Sequence, residues 1–193
     1  MMKLNLLSSK KIILASQSPR RKELLSELGF QFDTLSLDIE ETFPKDLPAS
    51  QVASYLSRLK ADSYISIQEN ELLITADTIV VYQDRILGKP ANEQEAKEMI
   101  LGLSGKTHQV YTAFTIKDLH KSKTITDVAN VEFSEISEQE ANFYIENFQP
   151  MDKAGAYGIQ EWLGMAKIKS INGSFYTIMG LPTHLIYNEL ISW

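Results

Sequence analysis

The sequence contains no cysteine among its 193 residues. This absence excludes disulfide bonds, thiol nucleophiles and cysteine-bound metal centres. Only three histidines are present, and the spacing of His108, His120 and His184 matches no metal-ligand pattern. Because a G-x-S-x-G segment and a Ser/His/Asp pattern are also missing, the sequence gives little support to catalysis by an imidazole-activated nucleophile.

The sequence also lacks an apolar run long enough to cross a membrane. The longest, LLITADTIVVY at residues 72–82, is too short to span a bilayer and is interrupted by Asp77. The apolar run at residues 4–7 is short for a signal peptide and is followed by Lys10 and Lys11, so no export signal is predicted. We therefore expect a soluble, cytoplasmic protein that does not bind membranes.

The sequence has no excess of positive charge, since it contains 19 basic and 25 acidic residues and its net charge is −6. This balance argues against a protein that coats a nucleic acid polymer, although a local basic cluster could still bind a small anion. The sequence shows no internal repeat, low-complexity tract or linker. A chain of this length fits one domain or one domain with two lobes.

Hydrophobic periodicity predicts alternating strands and helices. The predicted strands cover residues 12–15, 32–37, 72–82, 108–116 and 124–133. The predicted helices cover residues 19–28, 52–59, 96–103 and 185–190, and a further helix after a capping box at Ser137. A hairpin is predicted at Asn172-Gly173, between residues 165–171 and 174–179. The fold class is therefore α/β, with a twisted mixed sheet flanked by helices.

The first predicted helix has an unusual charge distribution. Its start signals are Ser18 and Pro19, yet Arg20 and Arg21 occupy its first turn, where the helix dipole disfavours cations. Free backbone amides and two guanidinium groups at a strand–turn–helix junction suit a phosphate group. The alternative is a surface helix whose arginines are solvated or paired with acids of the same helix.

Asp77 lies inside an apolar run, where a carboxylate needs a hydrogen bond, a charged partner or a metal ion. The alternative is a satisfied structural residue at a strand end. Glu40 and Glu41 could supply a second carboxylate for a divalent cation, although adjacent loop acids are often simply solvated. Lys89, in the turn Gly88-Lys89-Pro90, could act as a point charge for phosphate.

The segment DKAGAYGIQ at residues 152–160 is rich in small residues, which let the backbone approach a ligand closely. Gln160, its last residue, offers one hydrogen-bond donor group and one acceptor. The alternative is a plain loop. Neither a Walker loop nor a dinucleotide-binding fingerprint occurs anywhere in the sequence.

Together these segments resemble the Maf family of nucleoside triphosphate pyrophosphatases. The motifs that carry the resemblance run from about Ile12 to the last helix: LASQSPRRKELL, IEE, ADTIV, LGKP, LSGKTHQVYTA, DKAGAYGIQ and INGSFYTIMGLP. The resemblance implies a single Maf-like domain over residues 1–193. It also implies a fold of the inosine triphosphate pyrophosphatase type, with two lobes around a nucleotide cleft.

The implied reaction converts a nucleoside triphosphate and water to a monophosphate and pyrophosphate, with Mg²⁺, Mn²⁺ or Co²⁺ as cofactor. The segments GAYGIQ and ADT look like the branch that hydrolyses dTTP and UTP, with modified pyrimidine nucleotides as further substrates and nucleotide-pool surveillance as the role. A homodimer is expected by family analogy. The alternatives are a pyrophosphatase that prefers 7-methyl-GTP or purines, and a nucleotide-binding regulator of septum formation.

The resemblance also implies roles for individual residues. Asp77 resembles the proton acceptor, or acts mainly as a metal ligand that orients water, and Glu41 would help it to hold the cation. The residues implied in substrate binding are Ser16, Ser18, Arg20, Arg21, Thr78, Lys89 and Gln160. The chain departs from the family pattern at Thr75, where many members have glycine, and at Glu161, which begins a segment that often contains glycine in other members.

Overall fold

A computed structural model describes residues 10–193, so the interpretation of residues 4–7 lies outside the described residues. The strands are β1 Lys11–Ala15, β2 Phe32–Leu35, β3 Glu71–Tyr82, β4 Arg85–Leu87, β5 Thr107–Lys117, β6 Ser122–Phe133 and β7 Ile168–Asn172. The α-helices are α1 Pro19–Glu27, α2 Ala49–Ser63, α3 Glu93–Leu103, α4 Glu138–Phe148, α5 Trp162–Lys167, α6 Phe175–Met179 and α7 Thr183–Ser192. Within this range no helix has the length and apolar character needed to cross a membrane.

The strands form one mixed sheet in the order β2-β1-β3-β5-β6-β7, with β4 paired to β3. Strand β1 runs parallel to β2 and β3, whereas β4 is antiparallel to β3 and β7 is antiparallel to β6. The predicted α/β class with a mixed sheet is thereby confirmed. A tight hairpin turn forms between β3 and β4 at Gln83-Asp84, where both residues adopt the positive φ angles, 49° and 60°, that such a turn needs.

The strand order reverses direction at β1. After β1 the chain adds β2 on one side, and then returns through α2 to add β3 on the other side. In open α/β sheets, ligands bind outside the carboxyl ends of strands at such a reversal. The parallel pairing of β1 with β3 extends to Leu14 and Ile74, so the next residues of both strands lie at this edge.

The chain divides into two compact units. The first combines the residues up to Asp77 with Thr112–Asp127 and Gly180–Trp193, and the second combines Thr78–Tyr111 with Val128–Met179. A core cluster of the first unit is formed by aliphatic side chains of β1, α2 and β3. The core of the second unit is larger and includes the fully buried side chains of Phe133 and Tyr144.

The predicted hairpin at Asn172-Gly173 is wrong. Strand β7 does end at Asn172, but α6 begins at Phe175 and no second hairpin strand forms in the described chain. Strand β7 instead pairs with β6, and a Cβ atom on Gly173 would lie 2.7 Å from the Cα atom of Ala129 on that strand. Glycine is therefore required here for close contact with β6, and not for a tight two-residue turn.

Candidate active site

The loop between β1 and α1 carries the first group of predicted site residues. Ser18 occupies the N-cap position of α1, but among the described residues its side chain makes no capping hydrogen bond. The buried hydroxyl of Ser16 instead accepts a hydrogen bond from the Ser18 amide at 3.2 Å. Ser16 thus stabilises the turn through its side chain. The N-terminus of α1 comes directly after this turn, at the edge of the sheet where the strand order reverses.

Arg21 is fixed by the loop and by the segment that follows α6. Its Nε donates to the Gly180 carbonyl at 2.8 Å, and its Nη1 lies 3.4 Å from the Ser16 hydroxyl. Burial lowers the pKa of Arg21, the carboxylate of Asp77 opposes this effect, and neighbouring Arg20 adds to it. A guanidinium remains charged under such conditions, so Arg21 is a partly buried cation that faces a carboxylate.

Asp77 is buried in β3, three residues beyond the last β1 pairing partner, and is 6% exposed. Its Oδ1 lies 2.7 Å from the Nζ atom of Lys60. Burial raises the pKa of the Asp77 carboxyl above its ordinary value, while Lys60 and Arg21 act in the opposite direction. A carboxylate in an apolar run needs a partner, and the Lys60 ammonium is the partner of Asp77.

Lys60 contacts both of the carboxylates that the resemblance to the Maf family implies as cation ligands. Its Nζ atom lies 2.7 Å from Asp77 and 3.0 Å from Oε1 of Glu41, and its side chain is only 12% exposed. Sequence reasoning missed this residue. The available signal was its place in α2, four residues after the buried Leu56 and eight after the buried Val52, where a lysine continues an apolar stripe.

A buried hydroxyl network fixes α2 against the sheet. The Thr75 hydroxyl donates to the Ser57 carbonyl at 2.7 Å, and the Ser57 hydroxyl lies 2.9 Å from that of Thr115 on β5. At the end of α2, the Lys117 ammonium donates to the Ala61 carbonyl at 2.9 Å. Because Ser57 is one helical turn before Lys60, these bonds set the position from which Lys60 reaches Asp77.

The second unit contains the other predicted site residues. Lys89 is exposed in the turn after β4, and the Gly88 carbonyl of that turn accepts a hydrogen bond from the Gly155 amide at 3.0 Å. The structure therefore brings the Lys89 turn next to the loop that ends in Gln160. Residues 155–159 of this loop are buried and Gln160 is exposed, while Thr78 is half-buried in β3.

The donor atoms of Glu41 and Asp77 suit a hard divalent cation. Mg²⁺ is commonly bound by one or two carboxylates that are supplemented by water and substrate phosphates. Both carboxylates here contact the same ammonium, so a cation held by them would replace one positive charge with another. Between Lys10 and Trp193, no group of three or more potential metal-ligating side chains occurs.

The chain has a weak similarity to the structure of a HAM1 protein from Coxiella burnetii, with 17% identity and a TM-score of 0.43 over 64% of this chain and 73% of that one. Curated relatives named dTTP/UTP pyrophosphatase are much more similar. The relative from Bacteroides thetaiotaomicron is 52% identical over 93% of this chain and 94% of its own length. That from Porphyromonas gingivalis is 48% identical over 93% and 92%, respectively.

A third relative with that name, from Flavobacterium psychrophilum, is 42% identical over 94% of both chains. The family model described as Maf-like protein matches residues 11–193. This match begins at the first residue of β1 and includes all of the site residues described above. The chain belongs to the Maf family.

Proposed function

We propose that this protein hydrolyses dTTP and UTP to the nucleoside monophosphate and pyrophosphate. Membership of the Maf family supports the reaction, and relatives with 42% to 52% identity carry the name dTTP/UTP pyrophosphatase. The structural observation that carries the proposal is the Lys60 ammonium between Glu41 and Asp77, at the edge of the sheet where the strand order reverses. A cation held between a buried and an exposed carboxylate suits the stabilisation of phosphate charge, which phosphoryl transfer needs more than it needs a covalent nucleophile.

The basic side chains neutralise the triphosphate. Arg21 is held by the Gly180 carbonyl and is therefore preorganised, which lowers the cost of binding an anion. Lys60 has a flexible four-carbon stem and can exchange a carboxylate partner for a phosphate oxygen. Arg20 and Lys89 add charge, while Ser16 and Ser18 shape the β1–α1 turn so that the positive end of the α1 dipole is directed to phosphate oxygens.

Asp77 orients the attacking water and accepts its proton. The water oxygen bonds to the α-phosphorus, the bond from that phosphorus to the bridging oxygen breaks, and pyrophosphate leaves with the bonding electrons. Burial, which raises the pKa of Asp77, makes this carboxylate a better proton acceptor than an exposed one. The same residue, together with Glu41, would hold Mg²⁺, Mn²⁺ or Co²⁺, and that cation would supply further neutralisation of the phosphate charge.

Gln160 provides the physical basis for a pyrimidine preference. Uracil and thymine present an N3–H donor beside a carbonyl acceptor, and a side-chain amide can pair with both. A site built to hydrogen-bond one base edge rejects a base whose donors and acceptors are reversed, because buried polar groups would be left unpaired. Arg20 and Thr78 contribute to substrate choice in this proposal.

The test is a substrate panel in water labelled with ¹⁸O. The purified protein is incubated with dTTP, UTP, CTP, GTP or 7-methyl-GTP and with Mg²⁺ or Mn²⁺, and pyrophosphate is resolved from phosphate. We expect pyrophosphate from dTTP and UTP, with the label in the monophosphate. Label in pyrophosphate would mean attack at the β-phosphorus, and phosphate as the product would mean that a different bond is broken; either result contradicts the proposal.

Matched variants test the role of Asp77. Asp77→Asn should abolish turnover, since the amide can neither accept the proton nor balance Lys60. Asp62→Asn is the control because Asp62 is an exposed acid on the same helix as Lys60 and lies 3.6 Å from Lys117, away from Asp77 in the sequence and without a contact to Lys60 among the described residues. Nucleotide binding without any product in the wild type would favour the regulator of septum formation instead.

A cytoplasmic location, a homodimer and the absence of a nucleic acid partner are part of the same proposal. The negative net charge and the likeness to the family support them. Sedimentation at micromolar concentration tests the dimer directly, and a monomer would remove that part of the proposal without affecting the reaction.

A further inference from the structure

Glu161 follows Gln160 at a position where the family pattern often has a segment with glycine, and its carboxylate is engaged on both oxygens. Its Oε1 lies 3.2 Å from the Nζ atom of Lys153, and its Oε2 accepts a hydrogen bond from the hydroxyl of Tyr144. The side chain is 19% exposed. A solvated surface acid would not make these contacts.

Tyr144 connects the two ends of the turn that carries Gln160. Its hydroxyl donates a hydrogen bond to the carboxylate of Glu161, at the end of the turn. The same hydroxyl accepts a hydrogen bond of 2.9 Å from the amide of Gly158, at the beginning of the turn. The Gly158 carbonyl in turn accepts from the Glu161 amide at 3.1 Å. Tyr144 itself is fully buried on α4 and stacks on Phe148, so it is a rigid anchor.

The backbone of the turn is also packed closely. A Cβ atom on Gly158 would lie 2.8 Å from the carboxyl carbon of Glu161, so this carboxylate lies directly over the glycine. A Cβ atom on Gly164 of α5 would lie 1.9 Å from the Ile159 carbonyl oxygen. The turn is thus held on two sides, while Gln160 remains exposed.

Two structural roles for Glu161 do not account for these contacts. Lys153 is buried, but Asp152 already pairs with it at 2.7 Å, so Glu161 is not needed to give that ammonium a carboxylate. Glu161 occupies the N-cap position of α5, yet its side chain makes no capping hydrogen bond within the described part of the chain. The carboxylate is directed to the turn and to α4 instead.

We infer that Glu161 is a positioning residue for base selection: through Tyr144 and Lys153 it holds the turn from Gly158 to Glu161 in one conformation and so orients the Gln160 amide. This inference rests on the proposed function, in which Gln160 pairs with uracil or thymine. A fixed amide distinguishes UTP from CTP, whose base edge has the reversed pattern of donor and acceptor, whereas a mobile amide can adapt to both. Glu161 therefore affects substrate choice and not the cleavage step.

The experiment compares kcat and KM for UTP and CTP. In the wild-type background, Glu161→Ala should reduce the ratio of kcat/KM for UTP over CTP about tenfold, mainly through KM, since the amide is no longer oriented. Glu161→Gln should recover most of the ratio because it retains an acceptor for Tyr144. In the Gln160→Ala background, Glu161→Ala should cause no further change in the ratio.

Three results would overturn the inference: equal losses for UTP and CTP, a loss that adds to that of Gln160→Ala, or a wild type that does not distinguish the two substrates. The matched control is Glu140→Gln, because Glu140 also ties α5 to α4, through Lys167 at 2.6 Å, without touching the turn. This control should keep the wild-type ratio. Loss of the ratio there would mean that general loosening of α5 explains the effect.

A separate measurement distinguishes failure of the inference from failure of the proposed function. If the wild type releases no pyrophosphate from any nucleotide, the proposed function fails, and hydrogen exchange at the Gly158 amide then tests the turn alone. Exchange at least about tenfold faster in Glu161→Ala than in the wild type, and unchanged in Glu140→Gln, is expected for a turn held by Glu161. Unchanged exchange in Glu161→Ala would overturn the inference.

Discussion

Protonation of His108 should destabilise the protein between pH 6.5 and pH 4. His108 is 1% exposed, its Nε2 atom lies 2.7 Å from the Tyr157 hydroxyl, and its ring packs against that of Phe133. Its Nδ1 atom has no hydrogen-bond partner among the described residues. Burial lowers the pKa of His108 from 6.5 to about 4, because removal from water disfavours the charged ring.

The sign and the size follow from proton linkage. Below pH 6.5 the unfolded chain binds a proton at this histidine, and the folded chain does so only near pH 4. The free energy of unfolding is therefore undiminished above pH 6.5 and falls as the pH is lowered through this window. Each pKa unit is worth about 1.4 kcal/mol, so the loss approaches about 3 kcal/mol at pH 4.

The assay is urea unfolding of wild type, His108→Gln and His120→Gln at a series of pH values across this window. Glutamine cannot titrate, so His108→Gln should show a flatter dependence of the free energy of unfolding on pH than the wild type does. His120→Gln is the control, because the His120 side chain is 67% exposed, and it should keep the wild-type dependence. A wild-type pH dependence in His108→Gln would refute the reasoning.

Three further predictions concern other sites. Lys60→Met should lower kcat/KM for UTP about 100-fold or more, because it removes the ammonium that stabilises phosphate charge in the proposed function; a pyrophosphate assay checks this, and activity near the wild-type value would contradict it. Gly155→Ala should lower the free energy of unfolding by about 1–2 kcal/mol in urea, because Gly155 has φ +68° and its Cβ would lie 3.0 Å from Val80; unchanged stability would contradict this. Lys167 and the Ser137 amide hold the pKa of Glu140 near 2, so Glu140 stabilises the fold above pH 4.5 and this effect is lost as the pH falls towards 2. Because Glu140 is 34% exposed, screening limits the effect to about 1 kcal/mol, and a larger difference between wild type and Glu140→Gln at pH 7 than at pH 3 checks it.

Local signals in the sequence predicted local structure well. The predicted capping box at Ser137 is present, since its hydroxyl accepts from the Glu140 amide and the Glu140 carboxylate accepts from the Ser137 amide. Asn92 caps α3 in a similar way, since its side chain accepts a hydrogen bond from the Glu95 amide at 2.9 Å. These signals depend on residues three positions apart, so a short window contains both partners.

The incorrect hairpin shows where local signals fail. Asn-Gly is a strong turn signal, but the sequence does not reveal that β7 already has a partner in β6, in which Val131 pairs with Ile171. Once β6 takes that position, the chain after Gly173 is released from strand pairing and forms α6. Long-range pairing therefore overrides a correct local preference.

The same limit explains why Lys60 was missed. Asp77 could be identified because a carboxylate in an apolar strand requires a partner, but this rule does not say where in the chain the partner lies. Lys60 precedes Asp77 by 17 residues and reaches it from α2, and only the fold brings the helix and the strand together. The pattern in α2 indicated that Lys60 faces inward, and the unpaired Asp77 indicated that a cation was needed, so the two signals combined would have found the pair.

Thr75 and Glu161, which the resemblance marks as departures from the family pattern, have a common physical explanation. Thr75 and Glu161 each place a polar group in a mostly buried position, which is unfavourable unless a partner is available. The partner comes from a helix in both cases, as the Ser57 carbonyl of α2 accepts from Thr75 and Tyr144 of α4 donates to Glu161. Each departure thus connects a residue next to the site to the helix behind it. A substitution at either position is expected to act on the neighbouring site residue through that helix.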